Sequence, residues 1–130
     1  MRQSDADQVT LVAAGITLHE AISAASLLAE EGISARVIDL YSVKPIDAAT
    51  LRTAAAETGG MITVEDHWPE GGLGDAVLDV FAADSVRPRI VKLAVRHMPG
   101  SATPAEQLAM AGIDAAHIAA AARDLVQEIR

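Results

Sequence analysis

No cysteine occurs in the 130 residues, which excludes disulfides and thiolate metal sites and makes a reducing compartment, the cytoplasm, the expected location. Aromatics are nearly absent, with one Trp, one Tyr and one Phe, while the hydrophobic fraction is 51%. Ala, Val, Ile and Leu must therefore supply almost all the buried surface, which suits small-faced helices packed closely on a sheet. Basic residues are also few: ten Lys plus Arg face eighteen Asp plus Glu, for a net charge of −8. That balance repels a phosphate backbone, so nucleic acid is not an expected partner. No apolar run approaches the roughly 20 residues that span a bilayer, and Met1 to Gln8 is polar and acidic, without the apolar stretch of a signal peptide. No membrane partner is expected, and the length suits one domain.

What is present is an alternation of short β-branched runs with longer Ala/Leu-rich stretches, the pattern of βαβ units around a parallel sheet. Four strands are predicted, at Val9 to Ala13, Ala35 to Leu40, Met61 to Glu65 and Ile90 to Ala94. Several are apolar nearly throughout, as strands covered on both faces should be. Residues 1–8 form a polar N-terminal segment and residues 9–130 the domain. The first helix is expected to open on a capping box of Thr17 and Glu20 and to end at Gly32, with Ile22, Ala25, Leu28 and Ala29 as its apolar stripe. A second runs from an Asp47 N-cap to Gly59-Gly60. A third opens at Gly71-Gly72-Leu73-Gly74 and continues to about Ala83. Thr103-Pro104-Ala105-Glu106 reads as another capping box, closed by Gly112. Asp114 then caps a last helix with Ile118, Ala121, Ala122, Leu125 and Ile129 on one face. Right-handed crossovers give an α/β fold of three layers, α/β/α, on a mainly parallel four-stranded sheet of order 2-1-3-4.

In such sheets ligands gather beyond the carboxyl ends of the strands, near the point where the order reverses. That rim holds Ala14-Gly15-Ile16, Tyr41 to Lys44, Glu65 to Gly72, and Arg96-His97-Met98-Pro99. Glu65, Asp66 and His67, with His97 from the neighbouring loop, have donors that suit zinc or manganese. Consecutive residues leaving a strand diverge, however, and acids before a helix N-terminus serve as caps and dipole partners, so no metal is expected. His67 lacks a recognisable nucleophile to serve as acid–base partner. Glu70-Gly71-Gly72-Leu73-Gly74 matches neither G-x-G-x-x-G nor the P-loop. Its acidic flanks, Glu70 and Asp75, oppose an anion, and a tight turn that lets a helix approach the sheet explains the glycines better. Trp68, beside Pro69, is either a local core lid or an anchor for a protein contact. His19 and His117, in first helical turns, are expected to face solvent.

Taken in order, Val9-Thr-Leu-Val-Ala-Ala-Gly15-Ile-Thr-Leu-His-Glu-Ala21, Arg36-Val-Ile-Asp-Leu-Tyr-Ser-Val-Lys-Pro-Ile-Asp47 and Ile62-Thr-Val-Glu-Asp-His-Trp-Pro-Glu-Gly-Gly-Leu-Gly74 resemble the C-terminal domain of transketolases. The ending His97-Met-Pro-Gly-Ser-Ala-Thr-Pro-Ala-Glu-Gln-Leu108, with Ala111-Gly-Ile-Asp114, resembles the transketolase version in particular. The resemblance implies a complete enzyme that moves ketol groups between sugar phosphates on thiamine diphosphate and Mg2+. Both cofactors are held by other domains through a G-D-G…N motif and an activating glutamate. Here Ala76 follows Gly74-Asp75, and the whole chain contains no Asn. No catalytic, cofactor-binding or metal residue is therefore carried over, and the chain alone is expected to be inactive.

What the resemblance implies instead is a packing and dimer-supporting module. Its partners would be the cofactor-binding domains or chain of the same enzyme, in a homodimer or a hetero-oligomer. Glu65, Asp66, His67, Trp68, Glu70, Arg96 and His97 are the candidate partner-contact or regulatory residues. The family's domain also begins with an extra antiparallel strand beside what is here the second strand, which Met1 to Gln8 is too short and polar to supply. The second strand is then expected to be a bare edge that seeks a partner. Two other readings remain open: the same role in another thiamine-dependent enzyme, such as a 2-oxoacid dehydrogenase β subunit or a deoxyxylulose-phosphate synthase, and a free-standing α/β module binding a small ligand in the strand-switch crevice.

Overall fold

The β-branched runs form β1 (Val9–Ala13), β2 (Ala35–Asp39), β3 (Gly60–Val64) and β4 (Arg89–Leu93) in a computed structural model that describes residues 3–40, 45–66, 71–85, 87–96 and 102–129. Each strand lies within a residue of its predicted bounds. All pairings are parallel and the order is β2-β1-β3-β4, as the crossover rules require. Leu11 sits between Val37 and Ile62 in register, and Ile62 lies opposite Val91. Those residues face one helical layer, α1 (Ile16–Glu30) and α5 (Ala115–Ile129). Alternate residues Val12, Ile38 and Met61 face the other, α2 (Ala48–Thr58) and α3 (Leu73–Phe81). Two apolar faces explain why the strands read as continuous hydrophobic runs. Helix α4 (Pro104–Ala111) has no buried residue and lies beside the carboxyl edge of the sheet.

Most helix boundaries follow the local signals. Asp47 accepts from the Thr50 amide at 3.1 Å, and Gly59, at φ 78°, ends α2. The Thr103 hydroxyl accepts from the Glu106 amide and donates to the Glu106 carboxylate, while Gly112 ends α4. Asp114 accepts from the His117 amide at 3.0 Å, capping α5. His19 and His117 are exposed.

The start of α1 departs from expectation. Thr17 and Glu20 form no capping box: the N-cap is Gly15, at φ 63°, and no side chain caps the helix. The sharp turn out of β1 carries Thr17 inward, where it is fully buried. Its hydroxyl is 2.8 Å from the Ala14 carbonyl and 3.0 Å from the Val64 carbonyl. Thr17 thereby ties the first turn of α1 to the ends of β1 and β3.

The buried face of α1 is also rotated from the predicted stripe. It comprises Thr17, Ala21, Ala24, Ala25 and Leu28, whereas Ile22 is 43% exposed and Ala29 is exposed. The helix turns its small residues towards α5 as well as the sheet, so its opposite flank overhangs the outer side of β2. On α5, Ile118, Ala122 and Leu125 are buried as expected, joined by Ala119 and Val126. Ala121 is only half-buried and Ile129 is 36% exposed.

The polar segment before β1 is more ordered by contacts than its composition suggests. Asp7 and Arg36 form an ion pair at 3.1 Å with both side chains almost wholly buried. The Asp7 carboxylate also accepts from the Ser4 amide and the Ser4 and Ser34 hydroxyls, and Arg36 reaches Glu57 at 3.3 Å. Burial pushes the Asp7 carboxyl up, but the Ser4 amide, the Ser34 hydroxyl and Arg36 together outweigh it and hold the group below its usual value. A carboxyl whose folded pKa is depressed contributes stability that is complete above its unfolded value, near 3.8, and is lost as pH falls through the folded value. Asp7→Asn should therefore lower stability at pH 7 and flatten the acid limb below about pH 4, as read from urea midpoints across pH. An unchanged acid limb would remove Asp7 from the account.

Candidate functional site

The carboxyl edge is built by the residue that leaves β3. Glu65 continues the face of Thr63, towards α3, and is 2% exposed. Its carboxylate accepts from the Leu73 amide at 3.0 Å and the Gly74 amide at 2.8 Å, while its own amide donates to the Leu93 carbonyl. A carboxylate therefore satisfies two of the free N–H groups at the start of α3 and lies at the positive end of the helix dipole. The approach is close: a Cβ on Gly74 would lie 2.7 Å from Lys92 Cε and 3.0 Å from Glu65 Oε2. This is the physical reason for glycine there, in line with the tight-turn reading. Asp75, in the first turn of α3, accepts from Lys92 and from the Gly71 amide. The hydrogen bond from the Lys92 ammonium, with that amide, holds its carboxyl below the ordinary range.

Asp66, one residue on, is exposed and turns elsewhere. It lines a cleft of about 210 Å3 with Ile16, Val95, Gln107, Leu108 and Ile113, at the point where the strand order reverses between β1 and β3. Arg96 is exposed and donates to the Lys92 carbonyl at 3.0 Å. The structure thus separates Glu65, which is buried, from Asp66, which is exposed. His67, Trp68, Glu70 and His97 lie outside the described residues, as does Tyr41 to Lys44. Among the described residues no three His, Asp or Glu side chains converge on a metal position.

Two positions without a predicted role, Lys92 and Thr63, and one with a different predicted role, Thr17, lie at or behind this edge. Lys92 interrupts an apolar strand, and that interruption was the available signal for its bond to Asp75. Thr17, two residues after the turn glycine, carried no signal distinct from an N-cap. Thr63 is buried beside β1 and β4, with no hydrogen-bond partner for its hydroxyl among the described residues. The Gly74-Asp75 pair does not fit a diphosphate and its metal, because the Gly74 amide is committed to Glu65 and the Asp75 carboxylate to Lys92 and Gly71.

Comparison with known proteins agrees with this architecture. Residues 1–118 match the family model "Transketolase, C-terminal domain". Transketolase-like protein 2 of Mus musculus is 52% identical over 131 residues, covering 98% of this chain and 20% of that protein. Transketolase of Homo sapiens is 46% identical over 125 residues, covering 95% and 20%. The chain therefore spans about a fifth of the length of these relatives. Among solved structures, a split-gene transketolase described as an inactive beta4 tetramer superposes with a TM-score of 0.84 at 40% identity, over 93% of this chain and 40% of that one. A transketolase from Pichia stipitis superposes with a TM-score of 0.67 at 16% identity, over 96% and 17%, which is a likeness of fold alone. With the match running through four strands and their crossovers, this chain belongs to the transketolase C-terminal domain family.

Proposed function

We propose that this chain is the non-catalytic assembly domain of a transketolase, and that ketol transfer on thiamine diphosphate and Mg2+ takes place on cofactor-binding domains or a chain that it packs against. The observation that carries this reading is the commitment of the one Gly-Asp pair: Glu65 holds the Gly74 amide, and Lys92 and Gly71 hold Asp75. Those bonds use the groups that would otherwise face a diphosphate and its metal. The cofactor, bound elsewhere, would supply the stabilised carbanion of ketol transfer. The residues of this chain would contribute a rigid sheet, one helical layer on each face and exposed carboxyl-edge residues such as Asp66 and Arg96. The relatives' greater length and the tetramer of the split-gene neighbour support an assembly role.

Titration calorimetry of the purified chain with thiamine diphosphate and Mg2+ should show no saturable heat at micromolar concentrations. Binding at one site per chain would overturn the reading.

A further inference from the structure

The amino edge of the sheet, opposite the rim described above, carries a second cleft, of about 380 Å3, between the ends of α2 and α3 and the start of β4. Its volume falls within the roughly 300–1,000 Å3 of small-molecule sites. The space exists because α2 presents only Ala55, Ala56 and Gly59 on its apolar side, and the wall opposite is Phe81 and Pro88. Phe81 is 3% exposed and belongs to the core on this side of the sheet, so that wall is apolar and held by packing.

Three lining residues are charged: Arg52, Asp84 and Arg87. Arg52 donates from Nε to the Asp84 carboxylate at 3.1 Å and from Nη2 to the Val80 carbonyl at 3.0 Å. Arg87 donates from Nε to the Asp84 carbonyl and from Nη2 to the Ala82 carbonyl, both at 3.0 Å. Those three carbonyls lie at the end of α3 and in the turn after it, where the helix supplies no donors. Closing α3 therefore accounts for Nε and Nη2 of both arginines. It does not account for Nη1, which forms no hydrogen bond in either residue among the described residues, nor for the charge of Arg87, which pairs with no carboxylate among them. Arg89, two residues on, does pair, with Glu128. On a chain of net charge −8, this cleft holds two guanidiniums to one carboxylate and carries the opposite sign.

We propose that this cleft binds a small monocarboxylate with an apolar body, its carboxylate on Nη1 of Arg87 with Arg52 alongside, and its body against Ala55, Ala56, Phe81 and Pro88. A guanidinium without a counter-charge selects an anion, because a charge-assisted hydrogen bond is about twice as strong as a neutral one. Asp84 limits that anion to a single charge, since the second charge of a dianion would meet the Asp84 carboxylate. The carbonyls at the end of α3 hold both guanidiniums in place before a ligand arrives, so little side-chain freedom is lost on binding. For a ligand of about a dozen non-hydrogen atoms, the usual yield per atom corresponds to a Kd of about 1 mM. The inference concerns the amino edge and is independent of the assembly role and of cofactor binding.

An amide-resolved NMR titration of the chain with 4-phenylbutyrate tests it. The amides of Gly59, Phe81, Asp84 and Arg89 should shift together and saturate with a Kd of about 1 mM. The uncharged isostere 4-phenylbutyramide should bind about fivefold more weakly or worse, and so should the acid to Arg87→Gln. Asp84→Asn should act the other way and tighten binding about threefold, because it frees Arg52 from an exposed pair and removes the one negative charge in the cleft. Arginines that serve only to close α3 would give no such gain. Ala56→Leu, at an exposed helical position that tolerates leucine, should fill the cleft and abolish the shifts without lowering the unfolding midpoint. Absence of saturable shifts up to about 10 mM would overturn the proposal. So would an amide that binds as tightly as the acid, or binding indifferent to Ala56→Leu. Inorganic phosphate that moves the same amides at the same concentration would overturn it too, because the cleft would then read charge alone.

Discussion

Glu65→Ala should destabilise the domain by about 3 kcal/mol, because hydrogen bonds to a charged acceptor contribute about 1.5–3 kcal/mol each and two N–H groups lose theirs together. Both amides, of Leu73 and Gly74, open α3, where water has poor access. The variant also loses the negative charge that sits at the positive end of the helix. Against this stands the cost of burying a carboxylate, which the substitution removes, so the net falls well below the sum of the bonds. Glu65→Gln keeps one carbonyl acceptor and should cost about half as much. Urea midpoints at constant slope are the measure, and a shift in Tm of about 10 °C is expected for a domain of this size. A loss under about 1 kcal/mol from Glu65→Ala would show that the start of α3 finds other acceptors. In that case the carboxylate would be available for a role in contact after all.

The second large effect concerns the seat of α5 on β3. Leu125 is 1% exposed, and Gly60 lies so close beneath it that a Cβ there would come within 2.9 Å of Leu125 Cδ2 and 3.0 Å of its Cγ. Leu125→Ala should cost about 3–4 kcal/mol, the lost transfer energy plus a cavity that the surrounding backbone cannot fill. Gly60→Ala alone should cost about 1–3 kcal/mol by overpacking. Gly60 adopts an ordinary strand conformation, so the penalty comes from the neighbour rather than from the backbone. Combining the two places a methyl where the leucine branch was. The double variant should be more stable than the sum of the single losses predicts, by about 1 kcal/mol or more. Strict additivity in urea unfolding would mean that α5 shifts freely on the sheet and that the close approach is not a constraint.

Legibility followed distance along the chain. The strands, their parallel order, the Asp47, Thr103 and Asp114 caps and the Gly59 and Gly112 stops were readable because each rests on the conformational preference of a few adjacent residues or on the handedness of a single crossover. The family was readable too, since its segments recur in order across the domain. Thr17 was misread because a threonine near a helix start looks the same whether it caps or turns inward. The choice was made by the positive φ of Gly15 and a Val64 carbonyl 47 residues away. Helical periodicity placed Ile22 and Ala29 among the apolar positions of α1, but it could not say which arc the sheet and α5 would cover. Glu65 read as one of a run of three candidate ligands. Its role depended on the start of α3 arriving eight and nine residues later and on Gly74 leaving room. Asp7 looked like part of a polar tail until β2 brought Ser34 and Arg36 beside it. Local sequence determined where the chain turns and which layer architecture it adopts, because those preferences act within a few residues. Which polar groups became buried partners, and which apolar flank stayed open, was decided only by tertiary packing, because a carboxylate and its donors have to be brought within about 3 Å before either can satisfy the other.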